Sequence, residues 1–218
     1  MAMRAKQRKL RPRNSIETRA VILEAAERIF AQAGPDGART DAIAAAAGVN
    51  KAMLYYYFKS KAGLYGAVLE ANAREFHRLA EAVLAEPGPA GAVLQRYISN
   101  HFDFIGARPY YPRLFQQLIQ TGDRRVEQII RAHFIPLSAG LRKLIERGIR
   151  AGEFRSLDPR HTLISVIALT VFYFNAAPMA RKIGGINVFD PSEQARRKKE
   201  VLRFIRHALF TDPEDGAR

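Results

Sequence analysis

Residues 40–61, TDAIAAAAGVNKAMLYYYFKSK, leave the chain little choice of local fold. Ala42, Ala44, Ala45, Ala46 and Ala47 are strong helix formers that occupy little volume. Thr40 is expected to cap their helix, its hydroxyl accepting from a first-turn N–H. Gly48 supplies the positive φ that ends a helix tightly. Asn50 is placed to cap a second helix running to about Tyr57. Two helices cross closely only where side chains are small, here at Ala44 and Gly48. Ile43, Val49, Leu54 and Phe58 then turn towards a shared core. These residues predict a helix-turn-helix.

The second helix would turn Lys51, Ala52, Met53, Tyr55 and Tyr56 outward, with Lys59 and Lys61 just past its end. Small, basic and hydroxylated side chains at the start of a helix suit the major groove of DNA. Lys51 and Tyr55 are the candidates for base edges, Ala52 and Met53 for thymine methyls. Tyr57 and Lys61 are the candidates for phosphate, as are Arg39 and Thr40, where a helix start also offers free N–H groups. The plainer alternative is a helical hairpin with the tyrosines in a partial core. Charge favours the DNA reading: 35 Lys and Arg stand against 21 Asp and Glu, a net +14. Such an excess seeks polyanions, nucleic acid first and an anionic membrane surface second.

Residues 1–13 carry Arg4, Lys6, Arg8, Lys9, Arg11 and Arg13 and no acid. They read as a flexible arm, either a solvated tail or a strand of charge along phosphates or in the minor groove. Arg8, Lys9, Arg11 and Arg13 are its DNA candidates. Asn14 and Glu17 suit a capping box for a first helix striped by Ile22, Ala25, Ala26, Ile29 and Phe30. Gly34, Pro35, Asp36 and Gly37 are expected to end that helix. Ser60 is expected to cap a fourth helix over about residues 61–84, lined by Leu64, Val68, Ala71, Phe76 and Leu79.

The rest also reads as helices, giving an all-α chain. Its expected divisions are a basic arm (1–13), a helix-turn-helix domain (14–60), a connecting helix (61–86) and a larger helical body (87–218). Val93, Leu94, Tyr97, Ile98, Phe102 and Ile105 stripe the body's first helix, and Tyr110, Leu114, Phe115, Leu118 and Ile119 the next. A long helix follows, in which Pro136 should remove one backbone bond and bend the axis. Gly148 and Gly152 are expected to end it. Asp158 and Pro159 start another helix, as do Asp190 and Pro191, each by an N-cap followed by proline at the first position. Val201, Phe204, Ile205, Ala208 and Leu209 stripe the last helix. The preceding run Arg196, Arg197, Lys198 and Lys199 is expected to be solvated.

Residues 163–180 are the most apolar stretch, barely long enough to span a bilayer. Thr170, Asn175 and Pro178 interrupt it. Burial between partners is the preferred reading, since a helix apolar on nearly all sides needs cover on every side. No apolar segment follows the basic N-terminus, so no secretory signal is read. The absence of cysteine excludes disulfides and thiolate sites and suits the cytoplasm.

The segment AAGVNKAMLYYYFKSKAGLY resembles the DNA-binding signature of the tetracycline-repressor (TetR) family of bacterial regulators. That signature has an Ala-Gly-Val turn, a cap, Lys, two small residues, then Leu-Tyr-x-Tyr-Phe-x-x-Lys. The likeness runs over roughly residues 16–70. Met53 stands where Thr is common and Tyr56 where His is common, which bears on the operator. The resemblance implies an N-terminal three-helix DNA-binding domain and a larger C-terminal domain for ligand binding and dimerisation. It further implies a homodimer joined through the last two long helices. Two-fold symmetry would place two recognition helices on a near-palindromic operator in double-stranded DNA. A small-molecule effector in the body would move helix 4.

Large rings mixed with a few polar groups can line an apolar cavity, though packed core is the alternative for each. Phe102, Ile105, Tyr110, Phe115, Leu118, His133, Phe134, Phe172 and Asn175 are the candidates. No nucleophile elbow, phosphate-cradling loop or dinucleotide fingerprint occurs. His77, His101, His133, His161 and His207 form no metal-binding spacing. No catalytic residue, metal or cofactor is therefore expected. The expected function is a sequence-specific transcriptional regulator, a repressor released by a small apolar or amphipathic effector. The alternative is a DNA-organising or scaffold protein with the same head and no effector.

Overall fold

The computed structural model describes residues 15–112, 114, 116 and 124–211. The arm, with Arg8, Lys9, Arg11 and Arg13, lies outside them, as do Asn14, Phe115 and Leu118. Helices dominate, and among the described residues the only β contact is a single bridge between Phe154 and Phe210. The chain divides into two compact units between Val68 and Leu69. That division falls inside a helix, not at the end of one.

The first unit holds α1 (Ser15–Gly37), α2 (Thr40–Ala47), α3 (Lys51–Phe58) and the start of α4 (Lys61–Leu84). Ile22, Ala25, Ala26, Phe30 and Ala31 of α1 are buried, with Ile43, Ala44 and Ala47 of α2 and Leu54 and Phe58 of α3. Ile29 is only half-buried, and Ala31 takes its place in the stripe. Phe30 meets Tyr65 of α4 edge-on at 5.0 Å between ring centres. Helical geometry in α1 breaks at Gly34 (φ 73°, ψ 171°), and a last turn carrying Pro35 continues to Gly37. The expected stop is thus a kink.

The second unit contains the rest of α4, then α5 (Ala90–Gly106) and α6 (Arg124–Ile129). A π-helical turn, Ile130–Phe134, leads into α7 (Ile135–Arg150). Next come α8 (Pro159–Asn175), α9 (Ala177–Gly184) and α10 (Pro191–Leu209). Tyr111, Pro112, Leu114 and Gln116 are helical as well. The core gathers Phe76, Ala80 and Val83 of α4, the Val93-to-Ile105 stripe of α5, Leu141 and Ile145 of α7, Val166 and Phe174 of α8, and Val201 and Ile205 of α10. Ala71 and Leu79 of α4 are half-buried, while Ala73, Ala80 and Val83 are fully so.

The proline expected to bend the long helix is preceded by that π-turn. Pro136 has no N–H to give, and its ring would press on a carbonyl one turn earlier. The wider turn, closed by the Ile135 N–H donating to the Ile130 carbonyl, opens the helix just before it. Gly148 does not end α7; it lies buried within the helix, so close to the Phe154 ring that a side chain there would collide.

The apolar run 163–180 is two helices bent by 66° at Ala176. Pro178 sits at the start of the second, where its missing N–H costs nothing. No single helix among the described residues is long and apolar enough to cross a membrane. Asp158 caps α8 by accepting from the N–H groups of Arg160 and His161, and Asp190 caps α10 from Ser192 and Glu193. The basic run before the last stripe is not simply solvated. Lys198 reaches Asp103 of α5 at 2.8 Å, and Arg197 lies 5.4 Å over the Tyr173 ring.

Candidate nucleic-acid interface and body cavity

The α2–α3 turn is built as its residues dictate. Gly48 is left-handed (φ 65°, ψ 32°), and its N–H and that of Val49 satisfy the carbonyls of Ala45 and Ala44. The Asn50 side chain accepts from the Met53 N–H at 2.8 Å and opens α3. Thr40 is not a cap: Arg39 holds that position in an extended conformation, without a side-chain bond, and Thr40 is the first helical residue. At the other end, Ser60 Oγ accepts from Gly63 N–H at 2.9 Å and starts α4. A Cβ on Gly63 would collide with the Phe58 carbonyl oxygen. The close approach of α4 to the end of α3 therefore needs a glycine that the sequence reading did not single out.

Leu54 and Phe58 anchor α3 inward, which leaves Lys51, Ala52, Tyr55 and Tyr56 exposed on one face and Met53 and Tyr57 half-buried. Tyr56 is 72% exposed and meets Tyr57 edge-on at 5.2 Å. Arg39 is exposed beside them in sequence at the start of α2. The three lysines have local partners, Lys59 Nζ donating to the Tyr56 carbonyl at 3.2 Å. Lys51 Nζ lies 2.9 Å from Asp41, whose hydrogen bond and charge raise the lysine pKa. Lys61 Nζ donates to the Asp36 carbonyl at 3.0 Å. Asp41, also missed in the sequence, holds the lysine in a bridge between α2 and α3 that any base contact must exchange. Both ends are largely exposed, so the exchange is inexpensive.

The body holds a cavity partly open to solvent. Its walls are Phe76 of α4, Tyr97 and His101 of α5, Tyr111, Phe134 of the π-turn, Leu137, Ser138 and Leu141 of α7, and Ile167 and Val171 of α8. A smaller space of about 210 Å³ shares Phe76, Tyr97 and His101 as walls. The Phe76 ring lies 4.6 Å from the His101 ring and 6.5 Å from Phe134. Burial pushes the Tyr97 and Tyr111 phenols up and the His101 imidazole down to about 4. At neutral pH none of the described wall residues carries a formal charge.

Of the sequence candidates for this cavity, Phe134 is on its wall. His133 is adjacent but turned to α4, its Nε2 2.8 Å from Glu70, while its carbonyl pairs with His77 at 2.9 Å. Phe102 and Ile105 are packed core, Phe102 stacked on Tyr173 at 5.8 Å. Tyr110 is half-buried, and its neighbour Tyr111 takes the wall position. Phe172 is 63% exposed on the surface of α8. Asn175 is half-buried, its Oδ1 without a hydrogen-bond partner among the described residues. The missed Tyr97 and His101 stand one helical turn apart, a spacing that could have paired them.

Comparison with known proteins follows the same division. Residues 22–68 match the family profile described as bacterial regulatory proteins, tetR family. Residues 91–205 match the tetracyclin repressor-like C-terminal domain. The HTH-type transcriptional repressor NicS of Pseudomonas putida is 31% identical over 178 residues, covering 78% of this chain and 82% of NicS. The HTH-type transcriptional regulator RutR of Escherichia coli is 29% identical over 184 residues, covering 84% and 86%. Among solved structures, the transcriptional regulator FadR of Bacillus subtilis, in complex with stearoyl-CoA, has a TM-score of 0.66 at 20% identity, covering 84% of this chain and 97% of FadR. The chain belongs to the TetR family of bacterial regulatory proteins, DNA-binding transcription regulators, not enzymes, that dimerise and bind small-molecule effectors.

Proposed function

We propose that this protein is a repressor that reads a near-palindromic operator as a homodimer and is released by a small effector held in the body cavity. The observation that carries the reading is the exposed face of α3, with Lys51, Ala52, Tyr55 and Tyr56 free of the core. Lys51 and Tyr55 address base edges, with Ala52 and Met53 against thymine methyls. Arg39, Thr40, Tyr57 and Lys61 hold phosphate, and residues 1–13 add salt-dependent affinity with little sequence information. The setting is the cytoplasm, and the divisions remain arm, head, connecting helix and body.

A second copy is the occupant proposed for the outer faces of α8 and α10. Ile164, Phe172 and Phe204 are 60%, 63% and 61% exposed, on helices that bury Val166, Phe174, Val201 and Ile205. Large apolar side chains standing outward on two neighbouring helices call for a matching surface, and the same pair from a second copy supplies it as a four-helix bundle. Binding of effector can release DNA only by favouring the state with the lower DNA affinity.

The test replaces Lys51 by Ala and measures binding to operator and to random DNA. Operator affinity should fall about tenfold while random-DNA affinity falls less, because a base contact carries discrimination. Equal losses on both would assign Lys51 to phosphate.

A further inference from the structure

One buried hydroxyl sets the polarity of the cavity at its His101 wall. Thr170 is completely buried, and its Oγ1 lies 2.9 Å from the Ile167 carbonyl and 3.2 Å from Nδ1 of His101. A threonine hydroxyl has one proton to donate. The nearer partner, the carbonyl, can only accept, so the proton goes there. Oγ1 then meets Nδ1 as an acceptor, and Nδ1 must carry the hydrogen. Burial keeps the ring neutral at pH 7. A neutral ring protonated at Nδ1 has a bare lone pair on Nε2. That nitrogen has no hydrogen-bond partner among the described residues, on a side chain that lines the cavity.

The remaining walls narrow the chemistry further. Phe76, Phe134, Leu137, Leu141, Ile167 and Val171 offer only apolar surface, and Tyr97, Tyr111 and Ser138 add neutral hydroxyls. Among the described residues no lysine, arginine, aspartate or glutamate lines the space, so a carboxylate or an ammonium group would meet no counter-charge from them. A carboxylate would in addition set an acceptor against the Nε2 lone pair.

We propose that the cavity takes an uncharged, largely apolar molecule that donates one N–H or O–H hydrogen bond to Nε2 of His101. The inference rests on the reading of this cavity as the effector site and names the class of effector it admits. His101 is the residue that selects for the donor, and the Thr170 hydroxyl is the positioning group that fixes its tautomer.

A matched probe series tests this on the full chain by isothermal titration calorimetry at pH 7: 4-ethylphenol, 4-ethylanisole, 4-ethylbenzoate and phenyltrimethylammonium. The phenol should bind about tenfold more tightly than the anisole, in which a methyl group replaces the donated proton. It should bind at least about tenfold more tightly than either ion. In His101→Phe, checked for folding by circular dichroism, the difference between phenol and anisole should vanish. Nitrogen-15 spectra of histidine-labelled wild-type protein read the tautomer without any variant: Nε2 of His101 should be unprotonated and should shift when the phenol binds. Equal binding of phenol and anisole, tighter binding of the benzoate or the cation, a protonated Nε2, or a phenol preference that survives in His101→Phe would each overturn the inference while leaving the cavity as a binding site. If none of the probes binds, the effector-site reading beneath it falls as well.

Discussion

The two units build their sites in opposite ways. In the first unit the candidate interface is a surface made by one local segment: Gly48 and Asn50 fix where α3 begins, Lys59 closes it and Ser60 starts α4. In the second unit the cavity is assembled from α4, α5, the π-turn, α7 and α8, with wall residues from Phe76 to Val171. The first site is polar and charged, open to solvent, and held by capping bonds three residues long. The second is largely apolar, with no formal charge among its described walls, and the bond that orients its histidine, His101–Thr170, joins residues 69 apart in the chain. A site made by short-range rules is readable in sequence; one made by helix packing is not.

The sharpest way to separate the units is Gly63→Ala. The obstructing atom is a backbone oxygen, which cannot move without displacing the end of α3. The head should lose at least about 3 kcal/mol of stability and, with it, DNA binding. Body-cavity binding should survive. Urea unfolding paired with DNA and probe titrations reads both, and loss of both functions together would mean that the units do not fold independently.

The converse test is pH. The His101 imidazole is held at about 4 against an ordinary 6.5, so the unfolded chain takes up its proton first. Stability from this group is complete above pH 6.5 and is lost as pH falls towards 4. It is worth roughly 3 kcal/mol at most, at 1.36 kcal/mol per pKa unit. Urea unfolding of wild type and His101→Phe across that range should show the steeper acid loss in wild type. Parallel curves would contradict a buried neutral histidine.

A smaller effect sharpens the head alone. Asn50→Ala removes the bond to the Met53 N–H and should cost about 1 kcal/mol, whereas Asn50→Gly should cost only a few tenths. Thermal unfolding of the two variants checks the order. Equal costs would show that the cap acts through backbone conformation, not through its side-chain bond.

These contrasts also explain what the sequence made legible. Helix starts at Asp158 and Asp190, the turn at Gly48 and the outward face of α3 depend on neighbours within a few residues, and pattern alone found them. Other features depend on distant partners. The α5 N-terminus is satisfied by Glu153, whose two carboxylate oxygens accept from Ala90 and Gly91 N–H at 2.9 and 2.8 Å, and nothing near residue 90 announces it. The break at Ala176 turns one apolar run into two helices, so its length misled. Apolar rings in the body have the same helical spacing whether they face core or cavity. Phase could not distinguish Phe102, in the core, from Tyr97, on the wall.

The central claim is that α3 reads a particular DNA sequence. Fluorescence anisotropy with DNA from the region upstream of the protein's own gene, against random DNA of equal length, tests it across a range of salt concentrations. Phosphate contacts weaken on both DNAs as salt rises, whereas base contacts preserve the ratio. The account predicts tight binding to the upstream DNA with a preference that persists at high salt. Equal affinities that collapse together, on this DNA and on every fragment recovered from a genome-wide binding map, would contradict it and leave a protein that organises DNA without reading it.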